Sequence, residues 1–79
     1  MANKVVIYTT PECAYCKITK EFFRKNIISY EEKDVSVNDK AREEMVEKSG
    51  QLGVPVVDID DKIIVGFDKE MLSKLLNVK

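Results

Sequence analysis

The stretch from Lys4 to Val35 constrains the fold most tightly. Residues 4 to 8 read K-V-V-I-Y, a short β-branched apolar run suited to a strand covered on both faces. Thr9, Thr10 and Pro11 break that run. From about Ala14 to Lys25 the period becomes helical. Ile18 and Phe22, then Thr19 and Phe23, fall four apart and share a face, while Lys17, Lys20, Glu21 and Arg24 are expected in water. Ile28 to Val35, I-S-Y-E-E-K-D-V, alternates as a second strand, polar on one face and so expected near an edge. A strand, a crossover helix and a second strand call for a parallel pair with a right-handed connection.

Downstream, Ser36, Asn38 and Asp39 form a capping cluster before a second helix, A-R-E-E-M-V-E-K, in which Ala41 and Met45 are four apart. Gly50 suits its left-handed stop. Val54 to Ile59 reads as a third strand; Asp60, Asp61 and Lys62 supply a tight turn, and Ile63 to Val65 pairs back as a hairpin. Gly66 and Phe67 end that strand. Asp68 is a good N-cap for a last helix with Met71, Leu72, Leu75 and Leu76 on its apolar face. The order β-α-β-α-β-β-α predicts an α/β domain with a four-stranded mixed sheet and helices on both faces. With 79 residues, the chain is expected to form one domain spanning residues 1–79.

Charge excludes several classes of partner. Thirteen basic and 14 acidic residues leave a net charge of −1, and the basic ones are scattered without a patch, which argues against nucleic acid. No apolar stretch approaches the ~20 residues of a membrane span. The opening M-A-N-K-V-V-I-Y-T-T has no signal-peptide core and runs directly into the strand pattern. A cytoplasmic location without membrane partners is therefore expected, where thiols stay reduced and persistent disulfides are rare.

Cys13 and Cys16 are the only cysteines, and there is no histidine. A bridge closing so short a gap would be a poor structural staple. A zinc site wants four Cys or His ligands, and a Cys-His hydrolase is impossible here. Only a dimer or added small thiols would complete a metal or iron–sulfur site through Cys13. The remaining reading is a redox pair: a Cys-x-x-Cys near a βαβ pattern, placed where a strand's end meets a helix N-terminus. The first backbone N–H groups of that helix lack partners and its dipole is positive. Bringing a thiol from about 8.5 to about 7 requires roughly 2 kcal/mol. A helix N-terminus supplies about 0.3–1 kcal/mol when exposed and up to about 2 when partly buried. Lys17 would add attraction and Glu12 would oppose it. Cys13 is the expected nucleophile, and Cys16, one turn inside, the expected resolving thiol in thiol–disulfide exchange.

The stretches Y-T-T-P-E-C-A-Y-C-K, A-R-E-E-M-V-E-K-S-G, G-V-P-V-V-D-I-D and V-G-F-D-K together resemble the glutaredoxins, in particular the small bacterial dithiol glutaredoxins and glutaredoxin-like proteins. The resemblance implies a thioredoxin fold and a thiol–disulfide oxidoreductase. It also implies a monomer with glutathione as co-substrate, no tightly bound cofactor, and disulfide-containing client proteins. By the same resemblance, Cys13 and Cys16 are the catalytic pair and Tyr15 flanks a glutathione groove. Val54 would pair its backbone with glutathione as a short strand addition, and Pro55 would be cis. Gly66, Phe67 and Asp68 would receive the γ-glutamyl end. Plainer roles stand beside these: Tyr15 covering the helix start, Phe67 in the core, Gly66 serving a turn, Asp68 capping a helix, Tyr8 packing.

The chain departs from the family pattern at three places. Ala14 stands where proline is commonest, supplying an N–H that proline lacks; a shifted redox potential and easier cluster binding are expected. Thr10 replaces a lysine that meets glutathione's glycine carboxylate. Gly53 replaces a threonine, and Gly66 is single where two glycines are common. These departures lean toward relatives recycled by thioredoxin reductase. A second alternative is a [2Fe-2S] carrier, in which Cys13 and two glutathiones bridge a dimer.

Overall fold

The computed structural model describes residues 4–77. β1 (Val5–Thr9) and β2 (Glu31–Asp34) lie parallel, with Val6 opposite Glu31 and Thr9 opposite Asp34, joined across one face by α1 (Ala14–Lys25). α2 (Asp39–Ser49) leads to β3 (Val56–Ile59), which runs antiparallel to β1. β4 (Lys62–Val65) closes a hairpin with β3, and α3 (Lys69–Leu76) follows. The strand order β2-β1-β3-β4 puts β1 and β3 at the centre, and all residues of both strands are buried.

Alternation along the central strands divides the core in two. Val5, Ile7, Val57, Ile59 and Ile64 face Phe22 and Phe23 of α1 and Leu72 and Leu76 of α3. Val6, Tyr8 and Val56 face Ala41 and Met45 of α2. Helices therefore cover both faces, and the expected mixed sheet forms.

The caps follow the sequence. Asn38 accepts a hydrogen bond from the Ala41 N–H at 3.0 Å, Asp68 from the Met71 N–H at 3.1 Å, and Gly50 ends α2 at φ 74°. The hairpin turn is tighter than expected. Asp60 and Asp61 sit at φ 50° and 72°, while Lys62 already pairs with Ile59. Asp58 Oδ1 accepts the Asp61 N–H at 2.8 Å, and Asp60 Oδ1 the Lys4 N–H at 2.9 Å.

Two strand expectations were too long. β2 keeps only residues 31–34, because β1 offers it only Val6 to Thr9 as partners. Tyr30 instead packs on Phe23, ring centroids 5.2 Å apart. β3 starts at Val56, after a cis Val54–Pro55 peptide. Ile18 and Met71, expected on core faces, are 43% and 45% exposed, because the buried stripe of α1 runs through Cys16, Thr19, Phe22 and Phe23 and that of α3 through Leu72 and Leu76.

A polar network ties α2 to the sheet. Tyr8 is fully buried, and its hydroxyl donates to Glu44 at 2.7 Å. Lys33 from β2 and Lys48 from α2 reach the same carboxylate at 3.2 and 3.4 Å, and Lys48 also donates to the buried Asp58 at 2.6 Å. The Tyr8 hydroxyl first, then Lys33, pull Glu44 down to about 2. Burial first, then Glu44, raises Tyr8 to about 12. A carboxylate lowered on folding contributes stability that is present above its unfolded value, 4.5, and lost as pH falls toward 2. Glu44→Gln should therefore cost about 1 kcal/mol at pH 7, a figure kept small by the carboxylate's partial exposure. It should also flatten the acid loss of stability below pH 4.5, as urea unfolding across pH would report; an unaltered acid slope contradicts this role.

Candidate active site

β1 ends at the buried Thr9, and the Thr10-Pro11-Glu12 turn brings the chain to Cys13, the N-cap of α1. Cys13 has extended backbone angles, φ −90° and ψ 110°. Its N–H donates to the Thr10 carbonyl, and its own carbonyl accepts from the Lys17 N–H, both at 3.3 Å. Its Sγ accepts the Cys16 N–H at 3.1 Å. Sulfur thus takes the place that a Ser or Asp oxygen usually holds at a helix start. No acidic side chain occupies the first turn to compete with it.

The two thiols differ sharply. Cys13 is partly exposed and Cys16 fully buried. Burial pushes the Cys16 thiol up to about 12, and its hydrogen bond with Cys13 adds to this. The Thr10 backbone and the Lys20 charge act in the opposite direction. One sulfur can be reached from solvent and receives an N–H, whereas the other is held as a protonated thiol one turn behind it.

The sheet register brings the other predicted residues to this end. Tyr8 lies opposite Val56, and Val56 opposite Val65. One step further along each strand places Pro55 beside Thr9 and Gly66, and the Gly66 N–H donates to the Pro55 carbonyl at 2.8 Å. Pro55 is cis, as the resemblance implied. Val54 is half-buried just before it, and Gly66 turns at φ 80°. Asp68 is exposed at the start of α3 and caps it. Phe67 packs edge-on against Phe22, ring centroids 6.0 Å apart, so it serves the core. Tyr15 is 63% exposed on the first turn of α1. A surface cleft lined by Thr10, Pro11, Glu12 and Ser36 flanks the turn.

The two lysines on the first turns of α1 stand differently. Lys17 is exposed and makes no ion pair among the described residues. Lys20, expected in water, has a side chain only 20% exposed, and its charge lowers the Cys16 thiol by less than burial and Cys13 raise it. Its position four residues past Cys16 was the available signal. Among the described residues no group of three or more His, Cys, Asp or Glu is placed to hold a metal ion. No helix of the described residues is long and apolar enough to cross a membrane.

The glutaredoxin family model matches residues 5–64. An uncharacterised glutaredoxin-like 8.6 kDa protein of Clostridium pasteurianum, from a rubredoxin operon, is 46% identical over 72 residues, covering 91% of this chain and 96% of that protein. Glutaredoxin 3 of Escherichia coli K12 is 40% identical over 68 residues, covering 86% of this chain and 81% of that protein. Among solved structures, a thioredoxin-like protein superposes with a TM-score of 0.87 at 38% identity, covering 92% of this chain and 100% of that one.

The asymmetry of the two thiols has a direct readout. In the native reduced protein, iodoacetamide should modify Cys13 at least about tenfold faster than Cys16, because only the accessible thiolate reacts. Peptide mapping would locate the label, and Cys16 should react only on unfolding. Equal labelling of both would remove the basis for separate roles.

Proposed function

Because the chain belongs to the glutaredoxin family and is a thiol–disulfide oxidoreductase, we propose that it reduces protein disulfides and glutathione mixed disulfides in the cytoplasm, as a monomer, with glutathione resetting the Cys13–Cys16 pair. The observation that carries the reading is the Cys16 N–H aimed at the Cys13 sulfur from within 3.1 Å, behind which lies a buried second thiol.

In the first step the Cys13 thiolate attacks one sulfur of the substrate disulfide. A Cys13–substrate bond forms, the substrate's S–S bond breaks, and one thiolate leaves. In the second step Cys16 attacks the Cys13 sulfur, forming the Cys13–Cys16 disulfide and expelling the second substrate thiolate. The Cys16 proton, tightly held in the resting protein, goes to that departing group. Two protein thiols are oxidised and one substrate disulfide is reduced to two thiols. Two glutathiones then reverse the exchange on the pair.

The register that sets Pro55 beside Thr9 and Gly66, at the end of β1 that leads into the Cys13 turn, supports a glutathione site. The Val54 backbone would add glutathione as a short strand, while the exposed cap at Asp68 leaves room for its charged γ-glutamyl end. Phe67 would support this groove from below through Phe22, and Tyr15 would border it. One observation favours a different electron donor: Thr10 offers no charge for the glycine carboxylate, which supports recycling by thioredoxin reductase as the second reading.

NADPH consumption separates the two donors. The favoured reading expects turnover of a mixed disulfide with glutathione and glutathione reductase; turnover with thioredoxin reductase alone would replace glutathione as the donor. Cys16→Ser should keep the reduction of glutathione mixed disulfides and lose that of protein disulfides. Loss of both activities alike would refute the roles given to the two cysteines.

A further inference from the structure

We infer that Lys20, held in place by Glu32, is a positioning residue for the resolving step: its ammonium supports the Cys16 sulfur as that buried thiol becomes the thiolate that closes on Cys13. This rests on the dithiol mechanism proposed above and deepens it.

A buried thiol is poorly suited to attack, since its ionised form is what burial disfavours. The sulfur of Cys16 is wholly removed from solvent and must still ionise for the pair to close. The groups that act on it are few. Cys13 caps α1, Lys20 comes from α1 itself, and the Thr10 backbone belongs to the turn after β1. Lys20 is the positive side chain among them, a smaller influence on the resting thiol than burial, Cys13 or the Thr10 backbone. It lies four residues past Cys16, on the same side of the helix, with 20% of its side chain exposed.

A free lysine would spend most of its time in water. Here it is tethered. Lys20 Nζ donates to Glu32 Oε2 at 2.8 Å, and the Thr9 hydroxyl donates to that same oxygen, also at 2.8 Å. Thr9 is the last β1 residue on the face that packs against α1, and it is 1% exposed. A buried hydroxyl from β1, a carboxylate from β2 and an ammonium from α1 thus meet one helical turn along α1 from Cys16. Two donors on one oxygen hold the Glu32 carboxylate below its ordinary range, with Lys20 the larger cause. As Cys16 attacks the Cys13 sulfur, the Cys13–substrate bond breaks and the Cys16 proton passes to the departing substrate sulfur; the negative charge that builds on Cys16 meanwhile forms one helical turn from an ammonium already in position. Lys17, one residue beyond Cys16, lacks any such tether.

The test separates the two steps with a disulfide-linked peptide whose halves carry different fluorophores, so that each thiol release is timed by stopped flow. Lys20→Gln, which keeps helix propensity, should slow the second release about five- to tenfold and leave the first unchanged. It should also move the pH profile of the second release upward, and Lys20→Arg should recover most of the rate. The inference is overturned if Lys20→Gln leaves the second release unchanged, if it slows both releases alike, or if Lys20→Arg is no better than Lys20→Gln. Failure of Cys16→Ser to trap the peptide on Cys13 would instead overturn the dithiol reading, and this inference with it.

Discussion

A helix that starts just beyond a strand presents backbone N–H groups with nothing inside the helix to bond them. In this protein one of those groups is satisfied by a sulfur, and the rest of the site is arranged around that contact. The Cys16 N–H reaches the Cys13 sulfur only because Cys13 stands at the N-cap with extended angles. That cap in turn depends on the Thr10 carbonyl receiving the Cys13 N–H. The same turn of helix that offers the N–H also carries Cys16 inward, so accessibility and burial are divided between the two thiols by one piece of backbone geometry.

The edge strand β2 shows how a short polar strand is held on an otherwise apolar sheet. Its side chains alternate between faces, and each face finds its own anchor. Glu32 turns toward α1 and meets Lys20 and Thr9, while Lys33 turns toward α2 and meets Glu44. Exposed pairs of this kind stabilise little by themselves. Their effect here is positional. One group of contacts fixes Lys20 against β2, one helical turn from Cys16, and the other ties α2 to Tyr8 and Asp58.

Much of the fold was legible in the chain because local signals agreed with one another. V-V-I-Y of the K-V-V-I-Y run became the start of a fully buried central strand, the helical period from Ala14 to Lys25 became α1, and Asn38, Gly50 and Asp68 took the capping roles their chemistry suggests. Expectations missed where a neighbour, not local pattern, sets the outcome. β2 is short because β1 can pair only four of its residues. Ile18 is exposed because α1 settles with Cys16 and Thr19 against the sheet. Lys20 was read as solvated since nothing near it in sequence reveals Glu32 twelve residues later.

The sequence by itself determined the Cys-x-x-Cys spacing, its place at a strand-to-helix junction and the βαβ order that makes such a junction possible, since spacing, period and capping chemistry are local properties. Tertiary structure alone decided which end of the sheet receives Pro55, Gly66 and Asp68, how deeply Cys16 is buried and which lysine stands beside it. Those outcomes depend on strand register and on the rotation of α1 over the sheet, which exist only when distant segments pack together.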